Sequence, residues 1–196
     1  MVSDLTVRPL VAADVPMLLD MLRELAAFTG DPAAMTAQRA DLDEALAEVP
    51  PRFRGLIAED GSGVVGYVTY TIDYSIWTGG DFIRVDDVYV RDRARGRGIG
   101  RQLMRALADI AVSQAMRVRW EMASDNAGAR RLYAGIGAAP QDKTIWRWPV
   151  AAMESFLNRT EPPPASGRDA VPSESGRGLP GEDGFILVLR REGGTE

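Results

Sequence analysis

The chain has 196 residues, 45% of them hydrophobic, a formal net charge of −5, and neither cysteine nor histidine. These values are sufficient for one domain with a hydrophobic core, and they exclude disulfides, thiol nucleophiles, thiolate metal sites and histidine-based catalysis. The negative balance, the lack of a membrane-length apolar run and the lack of a secretory signal lead us to expect a cytoplasmic protein that binds no metal, nucleic acid or membrane.

The first part of the chain predicts a strand followed by two helices. Residues 5–10 alternate enough for a short strand. Asp14 is predicted to cap the first helix, which carries an apolar stripe at helical spacing and ends at Gly30. The second helix begins at Thr36 and stops before Pro50. We expect the Met-rich stripe of the first helix to lie in the hydrophobic core.

The next stretch predicts a β-hairpin. Its strands are residues 53–59 and 64–74, joined by a turn with two glycines and an aspartate. Within the second strand, Gly66 marks either a bulge or a point where another part of the backbone comes close. The hairpin is followed by a loop, residues 74–80, that carries Trp77.

A glycine-rich turn then separates a strong strand, residues 82–90, from a strong helix, residues 98–114. Gly96, Gly98 and Gly100 alternate with other residues, which matches neither the P-loop nor the dinucleotide-binding fingerprint. Glycine permits positive φ and close approach of a ligand, and consecutive N–H groups at a helix N-terminus can bind an anion. We therefore expect a pyrophosphate site, with a plain surface loop as the alternative. Positive potential would come from four arginines: Arg93, Arg95, Arg97 and Arg101.

The elements that follow alternate between strands and helices. Strands are predicted at residues 118–123 and 144–150, and helices at residues 127–136 and 151–157. Taken in order, the elements predict an α/β domain over residues 1–158. Its sheet should be mixed, with antiparallel strands first and parallel strands around the helix after the glycine turn.

The composition changes after this domain. Residues 159–184 are rich in Pro, Gly, Ser and charge, which is typical of a linker that cannot fold alone. Residues 185–196 contain one apolar run, at 185–189, that reads as a strand followed by a short tail. We expect this strand to pair with a sheet edge in its own or a neighbouring subunit; the alternative is a disordered tail.

Two motifs carry a resemblance to a known family. The Arg-Gly-x-Gly-x-Gly turn at 95–100 resembles the acyl-coenzyme A turn of the GNAT superfamily of N-acetyltransferases. The pattern Asn126-x-x-Ala129-x-x-x-Tyr133 is similar to the second acyl-coenzyme A motif of these enzymes. Across residues 5–157, the order of motifs looks most like the spermidine/spermine and thialysine type of diamine N-acetyltransferase. The resemblance implies the GNAT fold, with about six to seven strands flanked by helices, and a homodimer.

The resemblance also implies how acetyl-CoA, the cosubstrate, would be held. The pantetheine arm would pair with the backbone of Val88, Tyr89 and Val90, where two strands splay apart, and would contact Asn126 and Ala129. Asn126 could equally be an ordinary helix N-cap. The pyrophosphate would be bound by the backbone N–H groups of the turn, which are those of Arg95, Gly96, Arg97, Gly98, Ile99, Gly100 and Arg101.

Acetyl transfer to an amine requires a base and an acid. A free alkylamine has a pKa of about 10.4, so a carboxylate must accept its proton directly or through water. Asp86 and Asp87 are the candidates, and without a bulge only one of them can face the acceptor. Asp86 aligns with the glutamate base of the diamine enzymes and is therefore favoured, while a purely structural role for the pair is the alternative. Tyr133 is the candidate acid for the leaving thiolate, or else a core tyrosine.

The acceptor is predicted to be a small primary amine, framed by Trp77, Trp146 and Asp86 through cation–π and charge contacts. Ser75 occupies a position where the diamine enzymes carry an aspartate, which argues against long polyamines. Because the chain has no cysteine, we expect direct transfer in a ternary complex. The alternatives are a non-catalytic acyl-CoA-binding module, a protein N-terminal or lysine acetyltransferase, and a structural or partner-binding protein.

Overall fold

The computed structural model describes residues 5–141 and 144–158, which fall into two units. The first unit contains described residues 5–138, and the second contains residues 139–141 and 144–158. The predicted linker at 159–184 and the predicted strand and tail at 185–196 lie outside the described residues.

The first unit is built on one mixed sheet with strand order β1-β2-β3-β4-β5. Neighbouring strands are antiparallel from β1 to β4, whereas β4 and β5 are parallel and are connected through a helix. The predicted α/β class and mixed sheet are thereby confirmed. The strands are β1 Thr6–Pro9, β2 Arg54–Asp60, β3 Gly63–Ser75, β4 Gly80–Val90 and β5 Arg117–Arg119.

Helices cover both faces of this sheet. Leu18 and Met21 of the first helix pack against Ile57 and Tyr67, and we call this side the α1 face. Helix α3 packs on the opposite side, the α3 face, where its apolar stripe meets side chains of β3 and β4. The helices of this unit are α1 Val15–Phe28, α2 Arg39–Ala47, α3 Ile99–Ser113 and α4 Ala127–Gly135.

Alternation along the strands assigns side chains to these two faces. On the α3 face, Val68 and Tyr70 of β3 and Ile83 and Val85 of β4 are buried against Leu103. Because successive side chains of a strand point to opposite sides, the residues between them face α1. The sheet therefore has an apolar core on each side.

The start of α1 is held by an ion-pair cluster rather than by a simple cap. The Asp14 carboxylate accepts a hydrogen bond from the Val11 N–H at 2.9 Å and shows no hydrogen bond to the N-terminal amides of α1. The Arg8 guanidinium donates to both Asp14 oxygens, at 2.7 and 2.8 Å, and to Glu59. The predicted cap is thus corrected: Asp14 closes the turn before α1, and Arg8 draws its carboxylate toward β1 and β2.

Gly66 lies beside a bulge and at a close approach of two backbones, the two features that its position predicted. The pairing of β2 with β3 shifts register after Ala58, whose partner is Gly66, since Glu59 pairs with Val64 and leaves Val65 as the extra residue. A Cβ atom at Gly66 would lie 2.8 Å from the Tyr89 carbonyl oxygen. Only glycine permits this approach of β3 to β4 without displacing one of them.

One predicted strand is absent from the described residues. These contain five of the six strands predicted for them, and residues 144–149 contain no strand, while the further strand predicted at 185–189 lies outside the described residues. Alternating apolar residues favour a strand only when a neighbour pairs with the backbone, and Pro149, the cap of α5, offers no N–H group. Strand β5 is also shorter than residues 118–123, because its pairing with β4 ends at Arg119. The second unit contains α5 Val150–Leu157, with Phe156 edge-on to Trp148 at 5.6 Å.

Candidate active site

A bulge in β4 places two adjacent carboxylates on one face. Thr69 of β3 pairs with Asp87, but the next residue, Tyr70, pairs with Val85, so Asp86 has no opposite residue. Val85 faces α3, which turns Asp86 to the α1 face. Asp87 is two residues before Tyr89, a member of the α1-face core, and therefore lies on the same side. The bulge thus lets both carboxylates lie on the same face of the sheet, which an unbroken strand would not allow.

Asp86 is balanced by an arginine that the sequence did not single out. The Arg84 guanidinium lies 3.4 Å from the Asp86 carboxylate and 2.8 Å from that of Asp73. Partial burial raises the pKa of Asp86, while Arg84 acts in the opposite direction. Arg84 precedes Asp86 by two residues, so the alternation of a strand could have predicted this contact.

Asp87 has a different environment. The Asp87 carboxylate makes no hydrogen bond or ion pair with any other described residue. Burial raises the pKa of the Asp87 carboxyl, and the neighbouring charge of Asp86 raises it further. No described cation opposes these effects at Asp87, whereas Arg84 opposes them at Asp86.

The glycine turn presents unpaired amides at the start of α3. Gly96 and Gly98 have φ values of 76° and 77°, and nothing lies within 4 Å of a Cβ built at either position. The N–H groups of residues 96–101 donate to no acceptor in the described part of the chain, whereas the Gln102 N–H already bonds the Gly98 carbonyl. This arrangement is a run of unpaired N–H donors at a helix N-terminus, which suits a phosphate.

The arginine side chains of the turn contact the protein. Arg95 donates to the Val90 carbonyl at 3.0 Å and stacks on the Phe28 ring at 4.4 Å. Arg97 pairs with Asp60 at 2.8 Å, and hydrogen bonds from Ser62 and Arg97 lower the pKa of Asp60 to about 2. These two side chains hold the turn to α1 and to the β2–β3 hairpin, and the backbone is left to meet a ligand. Arg93 and Arg101 are exposed.

The edge of β4 beside the turn is open. Pairing of β4 with β5 ends at Arg84, so the β5 side of residues 85–90 has no strand partner among the described residues. The Arg91 N–H bonds the Val65 carbonyl of β3, and peptide groups alternate between edges along a strand. Tyr89 therefore directs its peptide groups to β3, while Val88 and Val90 direct theirs to the open edge. The segment predicted to pair with a pantetheine arm is therefore reduced to Val88 and Val90. The Val90 carbonyl already accepts a hydrogen bond from Arg95.

Helix α4 lies beside the turn and carries Tyr133. The Asn126 side chain accepts from the Ala129 N–H at 2.9 Å, so Asn126 is the N-cap of α4. The Tyr133 ring is half-buried and packs on Trp120 at 4.7 Å. Burial raises the pKa of the Tyr133 phenol, and the charge of Asp87 adds to the effect, so this hydroxyl keeps its proton at neutral pH.

The predicted indoles are exposed. Trp77 lies in the turn after β3 with 64% of its surface exposed. Trp146 belongs to the second unit and is 89% exposed. The structure thus places Trp77 in the turn of the β3–β4 hairpin, while Trp146 is described only within its own unit.

The described ranges contain neither a metal-binding cluster of carboxylates nor a membrane-spanning helix. Residues 5–141 and 144–158 contain no group of three carboxylates arranged to hold a metal ion. No helix in these ranges combines the length and apolarity needed to cross a membrane.

Comparison with known proteins agrees with this geometry. Residues 18–138 match the model of the acetyltransferase (GNAT) family. The thialysine N-epsilon-acetyltransferase of Mus musculus is 33% identical over 145 residues, which cover 67% of this chain and 81% of that protein. The spermidine/spermine N(1)-acetyltransferase-like protein 1 of Homo sapiens is 33% identical over 114 residues, covering 55% of this chain and 16% of that protein.

Solved structures share the fold. An integron cassette protein from the mobile metagenome of V. cholerae superposes with a TM-score of 0.63 at 25% identity, covering 79% of this chain and 98% of that one. An aminoglycoside acetyltransferase from an uncultured soil sample has a TM-score of 0.64 at 16% identity, with coverage of 74% and 95%. The family match covers most of the first unit, including the carboxylate pair, the turn and Tyr133. The chain therefore belongs to the GNAT family and is an enzyme that transfers acetyl groups.

Proposed function

We propose that this enzyme transfers the acetyl group of acetyl-CoA directly to the primary amine of a small molecule, within a ternary complex. The observation that carries the proposal is the run of unpaired backbone N–H groups at residues 96–101. A diphosphate needs such donors, and the open space above Gly96 and Gly98 admits it. The residues present therefore fit coenzyme A.

When bound, acetyl-CoA supplies an activated thioester. The turn would bind its diphosphate, and the peptide groups of Val88 would pair with the amides of its pantetheine arm. Asn126, already the cap of α4, keeps its side-chain NH2 group available for the same arm. These contacts would restrain the acetyl group near the α1 face of β4. Such restraint of the reacting groups is the origin of most of the entropic advantage of a ternary complex over a reaction between free molecules.

Asp87 would accept the proton of the attacking amine. The sequence favours Asp86, but Arg84 lies 3.4 Å from Asp86 and lowers its basicity. Asp87 has no such partner in the described chain, and its pKa is raised by burial and by Asp86. A carboxylate with a raised pKa that is still ionised at neutral pH is a stronger general base.

Tyr133 would donate the proton that the leaving thiolate requires. Its pKa is raised by burial, so the phenol is protonated when the thiolate forms. The contact with Trp120 at 4.7 Å fixes the ring, and with it the direction of the hydroxyl group. A positioned phenol can therefore act as a general acid without a histidine.

The acceptor would be a small amine or an amino-acid side-chain amine rather than a long polyamine. Arg84 lies between Asp73 and Asp86, so this part of the α1 face carries one cation for two carboxylates. A second or third ammonium group would be repelled by that guanidinium and would bind less strongly than at a purely acidic surface. The curated relatives include thialysine N-epsilon-acetyltransferases, whose names specify an amine on a side chain.

The test is acetyl-CoA turnover by the purified full chain, followed by thiol release, with four acceptor classes: ω-amino acids, short diamines, polyamines and peptides. We expect the ω-amino acids or short diamines to give the highest kcat/KM. A preference for peptides would favour a protein acetyltransferase. Coenzyme A binding without turnover of any acceptor would favour a non-catalytic module. The matched variant Arg84→Gln should raise kcat/KM for polyamines relative to kcat/KM for short diamines.

A cytoplasmic location and a homodimeric state remain predictions from sequence. Native mass spectrometry of the full chain tests the second directly, and a monomer at micromolar concentration would contradict it.

A further inference from the structure

Tyr67 is a buried tyrosine whose hydroxyl group lacks a hydrogen bond. It lies in β3 on the α1 face, has no exposed surface, and packs among Leu18, Met21 and Ile57. Its hydroxyl oxygen has no partner in the part of the chain that the structure describes. A buried hydroxyl without a partner is unfavourable, and native proteins rarely retain one unless a group nearby can engage it.

Asp87 is the complementary group. Tyr67 pairs with Tyr89, and Asp87 pairs with Thr69, so Tyr67 and Asp87 are diagonal neighbours on the same face of the β3–β4 ladder. Such neighbours lie about 7–8 Å apart at the backbone, within reach of an aromatic side chain. Among the charged groups, Asp87 has the largest effect in raising the Tyr67 pKa after burial itself. The Tyr67 hydroxyl, which lacks an acceptor in the described chain, thus lies beside the Asp87 carboxylate, which lacks a donor there.

The other candidates around this hydroxyl are already engaged. Glu24 of α1 accepts from the Tyr89 hydroxyl at 3.2 Å and pairs with Arg91 at 3.1 Å. Asp86 lies next to Arg84. The charged and titratable groups that act on Tyr67 or Asp87 come from three elements: Glu24 of α1, Asp86 and Tyr89 of β4, and Tyr133 of α4. Asp87 is the one carboxylate of this set without a described hydrogen-bond or ion-pair partner.

We propose that the Tyr67 hydroxyl donates a hydrogen bond to one oxygen of the Asp87 carboxylate and thereby positions the other oxygen for the acceptor amine. Tyr67 is a positioning residue in this scheme, since it acts on the amine through Asp87. The role in catalysis rests on the proposed function, whereas the hydrogen bond itself does not.

The hydrogen bond has a consequence for protonation. A donor to an ionised carboxylate stabilises the charged form, so the Tyr67 hydroxyl counteracts the effect of burial and Asp86 on the pKa of Asp87. Its removal would raise that pKa. The acid limb of the kcat/KM profile would then move to higher pH.

The hydrogen bond is tested by thermal unfolding of the full chain and the variants Tyr67→Phe, Asp87→Ala and their combination. Tyr67→Phe removes only the hydroxyl group. We expect it to lower Tm by about 3 °C or more at pH 8 in the wild-type background, and to have no such effect in the Asp87→Ala background. Tyr70→Phe, at a buried tyrosine on the α3 face, is the matched control, and its effect should not depend on Asp87.

The catalytic part is tested by the pH profile of kcat/KM. Tyr67→Phe should shift its acid limb upward by about half a pH unit or more and also lower kcat/KM on the plateau, because the Asp87 carboxylate loses the contact that positions it, while Tyr70→Phe leaves the limb in place. An unchanged or higher Tm for Tyr67→Phe, or an equal loss in both Asp87 backgrounds, would overturn the hydrogen bond. Coupling in unfolding with an unmoved limb would overturn the positioning role. Because unfolding needs no substrate, an enzyme inactive on every amine would refute the proposed function and leave this readout intact.

Discussion

Asp86 and Asp87 are consecutive in the chain, yet both carboxylates lie on the α1 face of the sheet, because Asp86 has no partner on β3. A one-residue bulge is sufficient for this, and bulges are frequent next to active sites, where they redirect a side chain. The two carboxylates differ in their neighbours, since only Asp86 has a guanidinium within 4 Å. One sheet face therefore offers an ion-paired carboxylate and an unpaired one side by side.

Asp87→Asn should lower kcat/KM at neutral pH by about 10²- to 10⁴-fold, because asparagine keeps the shape of aspartate but cannot accept a proton. Asp86→Asn should cost less and act mainly on KM, through the charge balance with Arg84. Steady-state kinetics of both variants with the best acceptor provide the measurement. If Asp86→Asn has the larger effect on kcat, the base is Asp86.

Tyr133→Phe should lower kcat by about 10²-fold while leaving coenzyme A affinity and Tm near their wild-type values. The reason is that phenylalanine retains the packing on Trp120 and loses only the donor. Kinetics, calorimetric titration with coenzyme A and thermal unfolding together separate these effects. A rate within about twofold of wild type would contradict the assignment of Tyr133 as the acid.

Gly98→Ala should destabilise the turn and weaken coenzyme A binding. Alanine at a φ of 77° costs about 1–2 kcal/mol, and relief of this strain would turn the neighbouring N–H groups out of the cradle. We expect Kd for coenzyme A to rise about five- to thirtyfold. Gly61→Ala is the matched control, since Gly61 has an open surrounding and no positive φ. Equal Kd values for the two variants would argue against the turn as the diphosphate site.

Asp14→Asn should lower the stability of the fold by about 1–2 kcal/mol at neutral pH. The hydrogen bonds from Arg8 lower the pKa of Asp14 from its ordinary value of 3.8. A carboxylate with a lowered pKa contributes stability in full above its unfolded pKa and loses it as the pH falls through the folded one. The difference in Tm between wild type and variant should therefore be constant above about pH 5 and shrink below pH 4.

The control for that experiment is Asp20→Asn. Asp20 and Arg23 form an ion pair of 3.4 Å on the surface of α1, with more than half of each side chain exposed. Exposed pairs contribute little, so Tm should change by less than about 2 °C at any pH. A pH-independent loss for Asp14→Asn would show that packing, not charge, accounts for its effect.

Features with local causes were predictable from the sequence. The turn at 95–100, the helix after it and the close approach at Gly66 follow from glycine placement and apolar spacing, which act over a few residues. The two carboxylates and Tyr133 are candidates from the sequence because their residue types suit proton transfer. The family resemblance gave the order of these elements along the chain, and the family match agrees with it.

Features that depend on pairing partners were not predictable. The bulge at Asp86 depends on which residue of β3 faces which residue of β4. Residues 144–149 have a strand-like pattern but no strand partner among the described residues, so the predicted strand is wrong. Arg95 and Arg97 were expected to add charge to the anion site, whereas their side chains stack on Phe28 and pair with Asp60, which only the tertiary structure brings near.

Gly66 has a wider consequence for the enzyme. Its missing side chain allows the β3 backbone to approach the Tyr89 carbonyl, and the position of β4 sets the open edge at Val88. A saturation screen for activity would therefore mark Gly66 as essential although it touches no reactant. At this residue the enzyme depends on close contact between two backbones, and a methyl group is enough to misalign chemistry several residues away.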